Sequence, residues 1–308
     1  MRDDAVSPIV AFMLLLMIVV SVISVLNAYY IPSLKQQSEI QHLHAVEESF
    51  TKLSADILQV LTFRQNISMK EPVQLGGGEA MFSSIKSSGY LEVNTSLQEV
   101  PLSSVLVMVD STQAMKCDIN RSQILYHPVG NFWVGQGYVW EDGVLTVSKG
   151  NRKTFLQYGD DADTKSASER NDYYEMLAPR IDIKEHDNNI TNITIDLINL
   201  ENAPSYRAVN GNGGGLVEIE LNQSKTCEGL LNNTTILTFQ SDTRTQDIIG
   251  VNSTIYNKFT DYSRFNMALT GTSDNYTLAL PSSAHGIIPD SKFAKFQITM
   301  WNLSFRVH

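Results

Sequence analysis

Residues 9–31 read IVAFMLLLMIVVSVISVLNAYYI, twenty-three positions without a charged side chain. As an α-helix rising about 1.5 Å per residue, the stretch covers roughly 34 Å, enough for the ~30 Å hydrocarbon core of a bilayer. Ser7 is a good N-cap, and Pro8 fits the first turn, where its missing N–H costs nothing. Tyr29 and Tyr30 fall where such a helix leaves the hydrocarbon, the level at which rings with a polar tip are enriched. The competing reading, a buried helix of a soluble protein, fits poorly because uncharged runs of this length exceed the usual soluble pattern.

On the C-terminal side Pro32 ends the run. Its ring clashes with the carbonyl of Ala28 and removes a hydrogen bond, so a break or kink is expected there. From Ser33 the chain turns polar but keeps a period, with Leu43, Val46, Phe50, Leu53, Ile57 and Val60 recurring at spacings of three and four. That is one apolar seam on a helix of about thirty residues. Packing against the chain's own head is the favoured reading of the seam; a coiled-coil contact between subunits is the alternative, weakened by the shortness of the repeat. His42 and His44, two positions apart, point to opposite sides and do not form a metal pair.

Helical patterning stops near Phe63 to Asn66, and Pro72 with Gly76-Gly77-Gly78 marks the passage into a different kind of structure. Beyond it, short runs rich in Val, Ile, Leu, Tyr and Phe alternate with Gly, Asn, Asp and Ser clusters, the signature of β-strands joined by turns. Glu141-Asp142-Gly143 reads as a tight hairpin. The expected fold class is α+β: a long N-terminal membrane and stalk helix followed by a mostly antiparallel β head of one or two sandwich-like units. The expected boundaries are a leader at 1–5, a transmembrane or assembly helix at 6–31, an amphipathic stalk helix at 32–66, a first β unit at 67–158, a polar linker at 159–171 and a second β unit at 172–308.

The chain has 308 residues and a formal charge of −10. With no basic cluster it lacks the electrostatic footprint of a nucleic-acid binder. Its two cysteines, Cys117 and Cys227, are too far apart for a CxxC redox motif or a zinc ribbon, leaving a long-range disulfide or two buried thiols. There is no GxSxG elbow, and no enzymatic signature or cofactor motif emerges. Gly211-Asn212-Gly213-Gly214-Gly215 lacks the Lys-Ser/Thr of a phosphate loop and reads as a hairpin tip. Asp160, Asp161, Asp163 and Glu169 offer oxygens of the kind calcium prefers, without the spacing of an EF-hand, and read as a solvated acidic loop. Trp133, Tyr138 and Trp140 could stack on a sugar ring, although a core or hairpin cluster is the better reading.

Asn-X-Ser/Thr occurs at Asn66, Asn94, Asn120, Asn189, Asn192, Asn222, Asn232, Asn233, Asn252, Asn275 and Asn302, eleven of the chain's twenty-two asparagines. A Ser/Thr frequency of roughly one in five would give about four. All lie beyond the apolar helix, which places the head outside the cytoplasm and makes these asparagines glycosylation candidates.

A short charged leader and the sequence Asp4-Ala5-Val6-Ser7-Pro8-Ile9-Val10, running directly into the apolar helix, resemble the N-terminus of archaeal type IV pilins and pilin-like surface proteins. The resemblance covers about the first sixty residues. It implies a leader peptidase cut between Ala5 and Val6, with the apolar helix kept on the mature chain. It also implies that the helices of several pilin-like subunits pack together along a filament. The chain has Asp4-Ala5 where that family commonly has a basic residue and glycine, and Val10 where many bacterial relatives have glutamate. The expected function is structural or adhesive, in a single-pass cell-surface protein, and the size of the head suits a minor filament subunit. Two alternatives are a singly anchored binding module for a carbohydrate or cell-wall ligand, and a surface hydrolase with an unrecognised site. Expected partners are the membrane, other pilin-like subunits and a surface glycan.

Overall fold

The computed structural model describes residues 8–77, 86–95, 103–109, 112–130, 134–150, 152–156, 162–177, 180–186, 189–200, 208–231, 236–243, 268–270, 275–279 and 294–308. The chain opens with helix α1 (Pro8–Val25), which passes through a π-helical turn (Leu26–Tyr30) directly into α2 (Ile31–Phe63). The break expected at Pro32 is therefore corrected to a change of register. The Ile31 N–H donates to the Leu26 carbonyl, five residues back, so the widened turn absorbs the missing donor and bulk of Pro32 without ending the helix. Helix α2 ends where Arg64 adopts a left-handed conformation (φ 45°, ψ 58°) and its N–H returns to the Val60 carbonyl.

Strands follow in chain order: β1 (Ile67–Gln74), β2 (Ser88–Asn94), β3 (Ser103–Val109), β4 (Thr112–Ile119), β5 (Gln123–Val129), β6 (Gln136–Glu141), β7 (Val144–Lys149) and β8 (Arg152–Phe155). After helix α3 (Ala162–Leu177) come β9 (Arg180–His186), β10 (Asn189–Leu200), β11 (Ala208–Gly211), β12 (Gly214–Leu231), β13 (Ile236–Thr243), β14 (Ala268–Thr270), β15 (Asn275–Ala279) and β16 (Ala294–Val307). They form three sheets with strand orders β1-β12-β16-β10-β9, β11-β2-β5-β6-β7-β8 and β14-β15-β13-β3-β4. Every pairing is antiparallel except that of β10 with β16.

This topology corrects the expected division at 67–158 and 172–308. Strand β1 pairs with β12, β2 with β11, and β3 with β13, so the two halves of the chain interleave in every sheet. The expected linker at 159–171 is also corrected, since α3 begins at Ala162 and packs on α2 and β7. The glycine run at 211–215 is a corner between two sheets and not a free hairpin tip. Gly215 packs closely there, a Cβ standing 3.2 Å from the side-chain methyls of Leu75, Leu91 and Val209.

The apolar seam of α2 is the centre of the head. Leu43, Val46, Phe50, Leu53, Ile57 and Val60 are all buried, packed between β1 and β12 on one side and β6 and β7 on the other. One contiguous hydrophobic cluster joins them to residues of all three sheets. The Arg64 guanidinium fastens the end of the helix, donating to the Asp196 carbonyl (2.8 Å) and the Met176 carbonyl (2.7 Å).

The expected hairpin at Glu141-Asp142-Gly143 joins β6 to β7, with Asp142 at φ 48° and Gly143 at φ 88°. Positive φ at both central residues is the type I′ geometry that matches the twist of the flanking strands. Asp142 is buried. Its Oδ1 accepts from the Ser122 N–H (2.9 Å) and its Oδ2 from the Tyr174 hydroxyl (3.0 Å), tying α3 to the sheet. Asp142→Ala strands both donors in the core and places alanine in the left-handed region. We expect a loss of about 3 kcal/mol by chemical denaturation, with Asp142→Asn losing less than half of it, since asparagine keeps an acceptor and tolerates the turn.

Candidate functional site

Two features of the long helix converge on function. The first is the arm. Every described large hydrophobic residue from Val10 to Tyr30 is exposed, Phe12, Met17 and Tyr29 among the most, and none of the described residues covers the apolar window. The apolar side chains cover all sides of α1, as they do in helices surrounded on every side by lipid or protein. Its polar groups are satisfied internally: Ser21 Oγ donates to the Met17 carbonyl (2.7 Å) and Ser24 Oγ to the Val20 carbonyl (2.8 Å). By length and composition the helix is long and apolar enough to cross a membrane.

The second feature is the neck, where α2 enters the head. Lys35, Glu39 and His42 continue the buried stripe of the seam toward the N-terminus with polar groups in place of apolar ones. Glu39 is fully buried and His42 nearly so, whereas His44 is exposed, as their spacing requires. His42 Nε2 donates to the Gln74 carbonyl (2.8 Å), and Nδ1 lies 3.4 Å from Glu39 Oε1. Gly77 sits against the imidazole so closely that a Cβ there would fall 2.8 Å from the His42 Cβ. The other carboxylate oxygen, Glu39 Oε2, has no hydrogen-bond partner among the described residues.

Burial pushes the Glu39 carboxyl up, but hydrogen bonds from His42 and Ser87, together with the imidazole's charge, outweigh it and hold the group below its ordinary value of 4.5. A carboxyl depressed in the fold contributes stability above its unfolded value, and that contribution is lost as pH falls through the folded one. Asp142 acts with the opposite sign, because burial raises it despite its hydrogen bonds, so its stabilising contribution falls away as pH rises past 3.8. The comparison that isolates the neck is therefore wild type against Glu39→Gln. We expect urea denaturation of the two to differ above pH 4.5 and to converge in stronger acid.

The remaining sequence candidates are dispersed. Ala5, Val6, Trp133, Asn232, Asn233 and Asn252 lie outside the described residues, as do Asp160 and Asp161, while Asp163 falls in α3. For Tyr138 and Trp140 the structure bears out the core reading and sets the stacking alternative aside. Both are fully buried: the Trp140 ring meets Tyr173 edge-on at 5.4 Å, and the Tyr138 hydroxyl donates to the Leu43 carbonyl, so neither offers a free face. No disulfide joins the cysteines. Cys117 lies buried on β4, and Cys227 lies half-buried on β12 of another sheet, opposite Ile298.

Among the sequons, Asn66 and Asn222 are exposed, and Asn94, Asn120, Asn192 and Asn302 are half-buried. Asn189 and Asn275 lie on β10 and β15. Asn120 Nδ2, the atom a glycan would occupy, donates to the Leu200 carbonyl (3.0 Å). Asn302 stands on the central strand of its sheet between Asn199 and Asn222. Sequence reasoning missed the neck, although Lys35, Glu39 and His42 carry the spacing of the seam onward with side chains that an apolar count ignores. Comparison of the chain with family models, characterised proteins and solved structures finds no match.

Proposed function

We propose that this protein is a pilin-like, membrane-inserted cell-surface protein with a structural or adhesive role, its head outside the cell. The observation that carries the reading is the division of one uninterrupted helix. Its N-terminal part is apolar on all sides and covered by none of the described residues, while its C-terminal part is the core of the head. Such a helix transmits the position of an arm held in lipid, or among neighbouring arms, rigidly to the head. Lipid tails and neighbouring leucines are about equally apolar, so the same surface serves as anchor and as subunit contact. The N-terminal resemblance favours assembly, with processing before Val6. Glycans are placed on the head at exposed asparagines, Asn66 before Asn120.

N-terminal mass analysis of the native protein, combined with electron microscopy of the sheared surface fraction, tests this reading. A mature chain beginning at Val6 within filaments is the expected result. An intact Met1-to-Ala5 segment on protein found only as membrane-bound monomer would overturn assembly and favour a singly anchored binding module.

A further inference from the structure

We propose that a shallow depression on the outer face of the six-stranded sheet, built around Tyr90, His127 and Asn210, binds a neutral sugar ring. Strand alternation turns Leu91 and Val93 of β2 into the core and leaves Tyr90 on the opposite face. The sheet register then places Asn210 of β11 and His127 of β5 directly across from Tyr90, one on each side. Directly opposed side chains in antiparallel strands have Cβ atoms about 5 Å apart, so an aromatic ring is flanked within one residue's reach by an amide and an imidazole. Gly89 and Gly211 form the next opposed pair and line the depression with backbone. The open cavity measures about 350 Å³, at the lower end of small-ligand sites.

The chemistry of the lining selects the ligand. Among the described residues it contains no Lys, Arg, Asp or Glu, so neither an anion nor a metal ion finds its counter-charge. An extended peptide would pair along a strand edge and would not sit on the face of the sheet. What the trio offers is a flat apolar ring between two groups that each donate and accept hydrogen bonds. A pyranose matches it, with an apolar C–H face for Tyr90 and equatorial hydroxyls for Asn210 and His127. This site is distinct from Tyr138 and Trp140, whose rings are in the core. It does not depend on whether the arms assemble.

The test uses the full chain in a detergent without a sugar headgroup, titrated with glucose-, mannose-, galactose- and N-acetylglucosamine-based disaccharides while the His127 ring resonances are followed by NMR. At least one disaccharide is expected to shift them with a millimolar midpoint. Tyr90→Ala is expected to weaken that binding about tenfold or more, as loss of an aromatic stacking contact should, and Tyr90→Trp to preserve it. Asn210→Ala, an exposed change on an edge strand, is expected to weaken it as well, and it stands in if Tyr90→Ala perturbs the circular dichroism of the head. No shift with any disaccharide, or unchanged binding in the folded variants, would overturn the proposal. Filaments absent from cells together with intact binding would sink only the assembly reading.

Discussion

A Phe50→Ala chain is expected to lose 3–5 kcal/mol of head stability, the range for truncating a fully buried phenylalanine. Phe50 has no exposed surface, and its ring lies 6.0 Å from that of Tyr138, itself pinned through its hydroxyl to the Leu43 carbonyl on the same helix. Truncation empties the space between α2 and β6, and the loss is a large share of the roughly 5–15 kcal/mol that holds a domain together. Denaturation of the wild type and variant in the same detergent measures it. Glu48→Ala, on the exposed face two residues away, should stay within about 0.5 kcal/mol. The pair also separates two roles for the seam. A subunit contact would let Phe50→Ala change association and leave the head's melting untouched, whereas a head core makes melting the first casualty.

The helix was legible in sequence because both of its signals are local. An uncharged run long enough to span a bilayer and a three-four apolar spacing need no knowledge of distant residues, and all six seam positions are buried. The short apolar runs read as strands were legible for the same reason, and Tyr90 to Val93 and Ile193 to Leu200 are two of them, falling in β2 and β10. Strand β1 was not, because Pro72 was read with Gly76-Gly77-Gly78 as the passage between structures; the structure places β1 at a sheet edge, where a residue without an N–H is tolerated. Helix α3 was read as a linker because its burial rests on Tyr173, Tyr174 and Leu177 at one end, leaving most of its length polar.

Pairing was the least legible level. Ile67 opposite Leu221 and Leu237 opposite Val109 join residues more than a hundred positions apart, and no local pattern encodes the choice. The same gap hid the functional candidates. Asn210, Tyr90 and His127 become neighbours only through the β11-β2-β5 register, and the Glu39–His42 pair acquires meaning only when Gln74, Gly77 and Ser87 close over it. For Trp140 the favoured core reading holds, but its partners Tyr173 and Phe305 come from distant parts of the chain and were not legible.

Val19→Arg is expected to weaken insertion of the helix into the membrane. Val19 lies near the middle of the span from Pro8 to Tyr30, and its side chain is exposed on a helix that offers no partner carboxylate from Val10 to Tyr30. An arginine at the centre of a spanning helix costs about 2.5–3.5 kcal/mol in membrane insertion, which shifts partitioning roughly a hundredfold. If the arms leave lipid and pack together, the charge meets only neighbouring apolar side chains and serines already bonded to their own helix, so assembly fails as well. Val19→Leu keeps the apolar surface and should behave as wild type. The head contributes nothing to this outcome, because its buried stripe begins at Lys35, and the variant should melt at the wild-type temperature. Membrane fractionation, surface shearing and thermal melting of the two variants read the three effects separately. Membrane partitioning of Val19→Arg equal to that of Val19→Leu would refute the assignment of this helix as the anchor.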